Sequence, residues 1–240
     1  MSAVPAVVLA APGTNRDADT AAALALAGAA PRIVPLAEAG RSHVLGDARI
    51  VVVAGGFSFA DALGSGRLFA LELQARLGDQ LAAFVAAGRP VLGICNGFQT
   101  LVRAGLLPGR PAPDAAAPGA AVSGPAAAAV GPVALGHNAG GSFVCRWVTL
   151  VAPASRSIWT AGLTEPITCP VAHGEGRFTA DARTLDALVA CGQVALTYAD
   201  ADGSPAKGEA PANPNGSAMD IAGSATRPAS CSASCLTPSA

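Results

Sequence analysis

Residues 91–101 read VLGICNGFQTL, an apolar run broken by Cys95, with Gly93 and Gly97 two residues to either side. A thiol in that setting can act as a nucleophile. The β-rich residues up to Ile94 predict a buried strand, and a helix starting with Asn96, Gly97 and Phe98 puts Cys95 on the turn between them. A tight strand-to-helix turn needs small neighbours and exposes the side chain at its apex, as in the nucleophile elbow of hydrolases. Backbone N–H groups at the start of the helix favour the thiolate and lower its pKa. The competing fate of a lone cysteine is burial in the core as a small apolar residue. In VVVAGGFSFAD, Gly55 and Gly56 close another apolar strand and let a backbone N–H approach a ligand, which suggests an oxyanion hole. Taken alone, a glycine pair is equally a flexible strand end.

A thiol of ordinary pKa needs an imidazole beside it, oriented by a carboxylate. The chain has three histidines. His43 stands alone in a polar connection and reads as a surface residue. His137, with Asn138, precedes the strand-like SFVCRWV, so loop packing and a pocket or interface role are both open. His173 and Glu175 in AHGEGRF lie two residues apart, the spacing of an imidazole–carboxylate dyad.

The elements that must position these groups follow from hydrophobic periodicity. Short β-rich runs (AVVLA, RIVPL, RIVVVAGG, PVLGIC) alternate with Ala/Leu segments of helical spacing at residues 17–29 and 68–87. That alternation predicts an α/β fold with a parallel sheet covered by helices on both faces and binding loops at the carboxyl ends of its strands. Residues 110–135, rich in Pro, Ala and Gly, read as a loose loop that interrupts the domain without ending it. SFVCRWVTLV, PITCPVA, a helix over residues 181–190 and QVALTYA then complete the layers.

A chain of 240 residues, half of them apolar, can bury one good core. No bulky apolar run is long enough to span a bilayer. The net charge of −1, with Lys and Arg scattered, leaves no basic stripe for nucleic acid. No targeting segment is visible, and the chain reads as cytoplasmic. Cys95, Cys145, Cys169, Cys191, Cys231 and Cys235 are spaced too irregularly for a disulfide framework. Cys231 and Cys235 lack further ligands nearby, so no metal site is expected.

Six segments together resemble a family: APGTNRD, GGFSFADALGSGR, GRPVLGICNGFQTLVRAGLLPG, HNAGGSFVCRWV, CPVAHGEGRF and NPNGSAMDIAG, spread over residues 6–223. They are similar to the class I glutamine amidotransferases, and within these to the glutaminase subunits of phosphoribosylformylglycinamidine synthase. Phe59 and Ala60 stand where that family commonly has Tyr and Gly, and Arg16 stands where it has Cys. The resemblance implies a flavodoxin-like sheet of the class I glutamine amidotransferase type over residues 1–223. It implies that Cys95 attacks the side-chain amide of glutamine and that ammonia leaves. The backbone N–H of Asn96 and one from Gly55, Gly56 or Phe57 would hold the oxyanion, and Gln99 would shape the glutamine pocket or serve as a solvated helix residue. Ammonia would pass to a large synthetase subunit, with room for a small third subunit. The chain has no phosphate loop, so ATP and Mg would belong to that partner and no cofactor to this chain.

In the family the triad's His and Glu come from a later HPE segment, so His173 and Glu175, with His137 and Asn138, are assigned to the pocket or to an interface. No HPE occurs here. After Gly223 the chain turns into SATRPASCSASCLTPSA, with no periodicity and one bulky apolar residue, which predicts an aberrant tail without order over residues 224–240. A third possibility lies in the genetic code. Codons chosen for Ser234 to Ala240 can be read one base early as Met-Pro-His-Pro-Glu-Arg, and residues 224–234 can be back-translated in the same frame into a turn and a plausible strand. A frameshift just after Gly223 is the expectation, with loss of the triad His and Glu and impaired glutaminase activity. Two rivals stand beside it: a non-catalytic partner-binding subunit, and a stand-alone cysteine hydrolase using His173 as base.

Overall fold

Apolar β-branched runs become buried strands, and the Ala/Leu segments between them become the helices that cover the sheet. The computed structural model describes residues 3–40, 43–109, 133–155, 157–226 and 233–236. The first half runs β1 (Val4–Ala10), α1 (Asp17–Leu26), β2 (Ala29–Pro35), α2 (Leu36–Ala39), β3 (Ile50–Val53), α3 (Arg67–Ala86), β4 (Val91–Ile94) and α4 (Asn96–Arg103). The second runs β5 (Val133–His137), β6 (Val144–Val151), β7 (Ile167–His173), β8 (Glu175–Ala180), α5 (Ala182–Ala190), β9 (Val194–Ala199), β10 (Ile221–Ser224) and β11 (Ala233–Leu236).

The main sheet has the order β11-β4-β3-β1-β2 and is parallel throughout. Val51, Val52 and Val53 of β3 are fully buried, as a central strand covered on both faces requires. Helix α3 buries Phe69, Leu73, Leu77 and Leu81 at intervals of one turn, the stripe that its sequence period predicts. The chain passes from β1 to β2 on one side and then crosses to β3 on the other, so the strand order reverses between β1 and β3. Ligands of open α/β sheets bind at that point, outside the carboxyl ends of the strands. The loops after β1, β3 and β4 all open there.

The structure departs from the sequence expectations in three places. Strands β6, β7, β9 and β10 form a separate antiparallel sheet around a smaller apolar cluster that includes Leu150, Val171, Leu196 and Tyr198. Residues 133–135, assigned to the loose loop, instead open β5, where Val133 and Leu135 are buried against the main core and pair with β8. Of residues 224–240, assigned to a tail without order, Ser224 ends β10 opposite Val194, Ala225 and Thr226 are buried, and residues 233–236 pair as β11 along β4, with Leu236 opposite Ile94. Without β11 the edge of β4 would present unpaired backbone groups, and any backbone can satisfy them whatever its side chains. The remainder of the expected loop, residues 110–132, and residues 227–232 and 237–240 of the tail lie outside the described residues.

Candidate active site

Cys95 caps helix α4 with φ 52° and ψ −111°, a conformation that L-residues rarely adopt. Such strain costs on the order of 1–3 kcal/mol and is held in place by the surroundings. Here the surroundings are glycines. A Cβ at Gly97 would collide with the carbonyl oxygen of Val53, and one at Gly93 would lie 2.6 Å from the carbonyl oxygen of Gly97. Only glycine at positions 93 and 97 lets the helix start pack this closely against β3 and β4. The Cys95 carbonyl accepts from the N–H of Phe98 at 2.9 Å and of Gln99 at 3.1 Å, so the helix begins directly after the thiol. Gly55 faces it, since a Cβ there would come within 3.2 Å of the Cys95 Cβ.

Cys95 lines a cavity of about 270 Å³ together with Gly55, Gly56, Phe57, Asn96 and Gln99. His173 and Glu175 enter from β7 and β8. Asn96 is buried, accepts from the Ser58 hydroxyl, and donates through Nδ2 to Asp61 Oδ1 at 2.7 Å. Gln99 is buried too, donating from Nε2 to the Glu175 carbonyl at 2.9 Å, which replaces the reading of a solvated helix residue. The Glu175 carboxylate pairs with Arg103 Nη2 at 3.0 Å and accepts from the Ser65 N–H at 3.4 Å. It therefore faces Arg103 and makes no dyad with His173.

His173 is held by Asn138 instead, with its Nδ1 3.0 Å from Asn138 Oδ1. Burial pushes the imidazole pKa down, so the ring is held neutral more strongly than a free one. Its Nε2 is buried and has no hydrogen-bond partner among the described residues. His137 is exposed and is not among the residues lining the cavity, and His43 borders a separate hollow beside Phe84 and Arg89. Of the expected groups, the structure thus brings Cys95, both glycines, Phe57, Asn96, Gln99, His173 and Glu175 together, with Asn138 behind His173.

Asn15, Arg16, Asp19 and Thr20 from the loop and helix after β1 also line the cavity, as do Asp61, Ser65 and Phe143. None of these carries a spacing signal. The strand-order reversal between β1 and β3 is the feature that points to the first group. Burial raises the pKa of Asp61, with hydrogen bonds from Ser65 and Asn96 opposing the shift and the nearby Glu175 adding to it. Among the described residues no group of three or more His, Cys, Asp or Glu side chains could hold a metal ion, and no helix is long and apolar enough to cross a membrane.

Residues 3–228 match the CobB/CobQ-like glutamine amidotransferase domain. The chain belongs to this family. It is 48% identical over 223 residues to the phosphoribosylformylglycinamidine synthase subunit PurQ of Treponema denticola, covering 91% of this chain and 81% of that one. The PurQ of Methanococcus maripaludis is 38% identical over 88% of this chain and 72% of its own. Among solved structures, PurLQS from Thermotoga maritima superposes with a TM-score of 0.70 at 28% identity, covering 99% of this chain and 87% of that one. The amidotransferase assignment thus rests on the whole described domain, and the strained Cys95 turn lies inside it.

Proposed function

We propose that this chain hydrolyses glutamine at Cys95 and delivers the ammonia to an ATP-dependent synthetase subunit, which converts formylglycinamide ribonucleotide to formylglycinamidine ribonucleotide. The observation that carries the reading is the strained Cys95 turn packed against Gly55 at the cavity wall, in a chain related over most of its length to PurQ subunits. The thiolate adds to the side-chain carbonyl carbon of glutamine. The oxyanion is held by the N–H of Asn96 and one from the Gly55–Gly56–Phe57 turn. When the tetrahedral intermediate collapses, the C–N bond breaks, and the thiol's proton, returned to nitrogen, makes ammonia the leaving group. Water then adds to the thioester, glutamate departs, and the thiol regains a proton. A partner of the synthetase type, with a third small subunit, accords with the PurLQS assembly to which the chain is similar. Its surroundings would be the cytoplasm.

Proton transfer in this scheme needs an imidazole at the thiol. His173, with Nδ1 tied to Asn138, keeps a free Nε2 and is the rival base, but no hydrogen bond joins it to Cys95 among those described, so we read it as a pocket residue. We assign the missing base to the frame lost after Gly223. The carboxyl end of β11 is level with the residue before Cys95, so a His-Pro-Glu directly after that strand would meet the thiol from the neighbouring strand end. The chain as it stands would then be an impaired glutaminase. Glutamine hydrolysis measured with the synthetase subunit present should rise about 10²- to 10⁴-fold when the frame is restored so that Met-Pro-His-Pro-Glu-Arg is read, the usual worth of general-base help. Equal rates would contradict the frameshift and make His173 the base.

A further inference from the structure

The charged groups lining the cavity are Arg16, Asp19, Asp61 and Glu175. Arg16 pairs with Asp19 at 3.0 Å near the surface, and Glu175 pairs with Arg103 at 3.0 Å. Asp61 has no ion-pair partner among the described residues. Its carboxylate accepts from Asn96 Nδ2 at 2.7 Å, and from Ser65 and the Gly66 N–H, so it is hydrogen-bonded but not neutralised; Asn96 is the residue after the nucleophile. The cavity beside Cys95 therefore carries one surplus negative charge, close to the reacting atom and partly withdrawn from water. Carboxylates in that position are costly unless a cation arrives. The backbone holds Asp61 there at a positive φ of 53°, in a run with Phe59 at 53° and Ala60 at 54°, the kind of strain that clusters at ligand clamps.

Building on the reading of this cavity as the glutamine site, we propose that Asp61 recognises the α-ammonium group of the substrate and selects an α-amino acid amide over amides that lack the amine. The amide end of glutamine must reach Cys95, and the zwitterion's cationic group supplies the charge that the cavity lacks. Burial raises the Asp61 pKa, and an ammonium placed against the carboxylate favours its ionised form.

The test measures protection of Cys95 from iodoacetamide by L-glutamine and by its des-amino analogue, glutaramic acid, in the full chain and in Asp61→Asn. The substitution keeps the size of the side chain and an oxygen for Asn96, removes the charge, and puts an NH2 donor in place of the second acceptor oxygen. The unmodified chain should bind glutamine about 10- to 100-fold more tightly than glutaramic acid, the worth of one charge-assisted hydrogen bond. Asp61→Asn should lose most of that preference while its affinity for glutaramic acid holds. If the variant folds and keeps the wild-type preference, Asp61 merely positions Asn96 and the proposal is overturned. If the unmodified chain shows no preference, the proposal falls whatever the variant does. If neither compound protects Cys95, the glutamine-site reading fails and this inference fails with it.

Discussion

His173 and Asn138 are joined ring to amide, with Nδ1 and Oδ1 3.0 Å apart. The Asn138 amide nitrogen donates to the carbonyls of Ser142 at 2.9 Å and of His173 at 2.8 Å, so its oxygen must face the ring and the ring must donate. His173 therefore carries its proton on Nδ1 and is neutral, with its pKa below the ordinary 6.5 because of burial. A neutral buried imidazole contributes stability above the unfolded pKa, and that contribution is lost as pH falls through the window below it. Between about pH 7.5 and pH 5, the melting temperature of the chain should fall more steeply than that of His173→Gln. Parallel curves would show that His173 is not held neutral.

Ala60 sits in the left-handed region at φ 54°, where a side chain costs on the order of 1 kcal/mol relative to glycine. The family resemblance puts glycine at this position. Ala60→Gly should raise the melting temperature by about 2–4 °C, as expected for a domain of this size. A loss of stability would mean that the Ala60 methyl makes packing contacts worth more than the strain.

Burial pushes the Cys169 thiol up to about 11, while Cys145, two residues after Phe143 on β6, is exposed. At about pH 8, alkylation of Cys169 should be on the order of 100-fold slower than that of Cys145, because so little thiolate is present and access is restricted. Peptide mapping after timed iodoacetamide treatment reads both rates. Comparable labelling would show that β7 opens readily.

The nucleophile turn was legible because its requirements are local: Gly93 and Gly97 flank Cys95 where close packing forbids a side chain, and an apolar run precedes it. The main sheet was legible for the same reason, since β1, β3 and β4 are short continuous apolar runs buried on both faces. The rest depends on contacts far apart in the chain. Glu175 lies beside His173 in sequence, yet Arg103, on α4, takes its carboxylate, while Asn138 takes the imidazole. Asp61 enters the cavity through a left-handed turn that no periodicity announces. Strand β11 carries no sequence signal because its residues have poor β character, and the pairing comes from the backbone edge of β4.

The central claim is that Cys95 forms the glutamyl thioester that releases ammonia. It is tested most directly by assaying Cys95→Ala in the frame-restored chain with the synthetase subunit, once with glutamine and once with added ammonium salt. Glutamine-dependent synthesis should fall to background, while ammonia-dependent synthesis should match the unmodified enzyme, because ammonia bypasses the thioester. Glutamine-dependent synthesis that survives the substitution, or loss of both activities in a variant that still folds and binds its partner, would contradict the assignment.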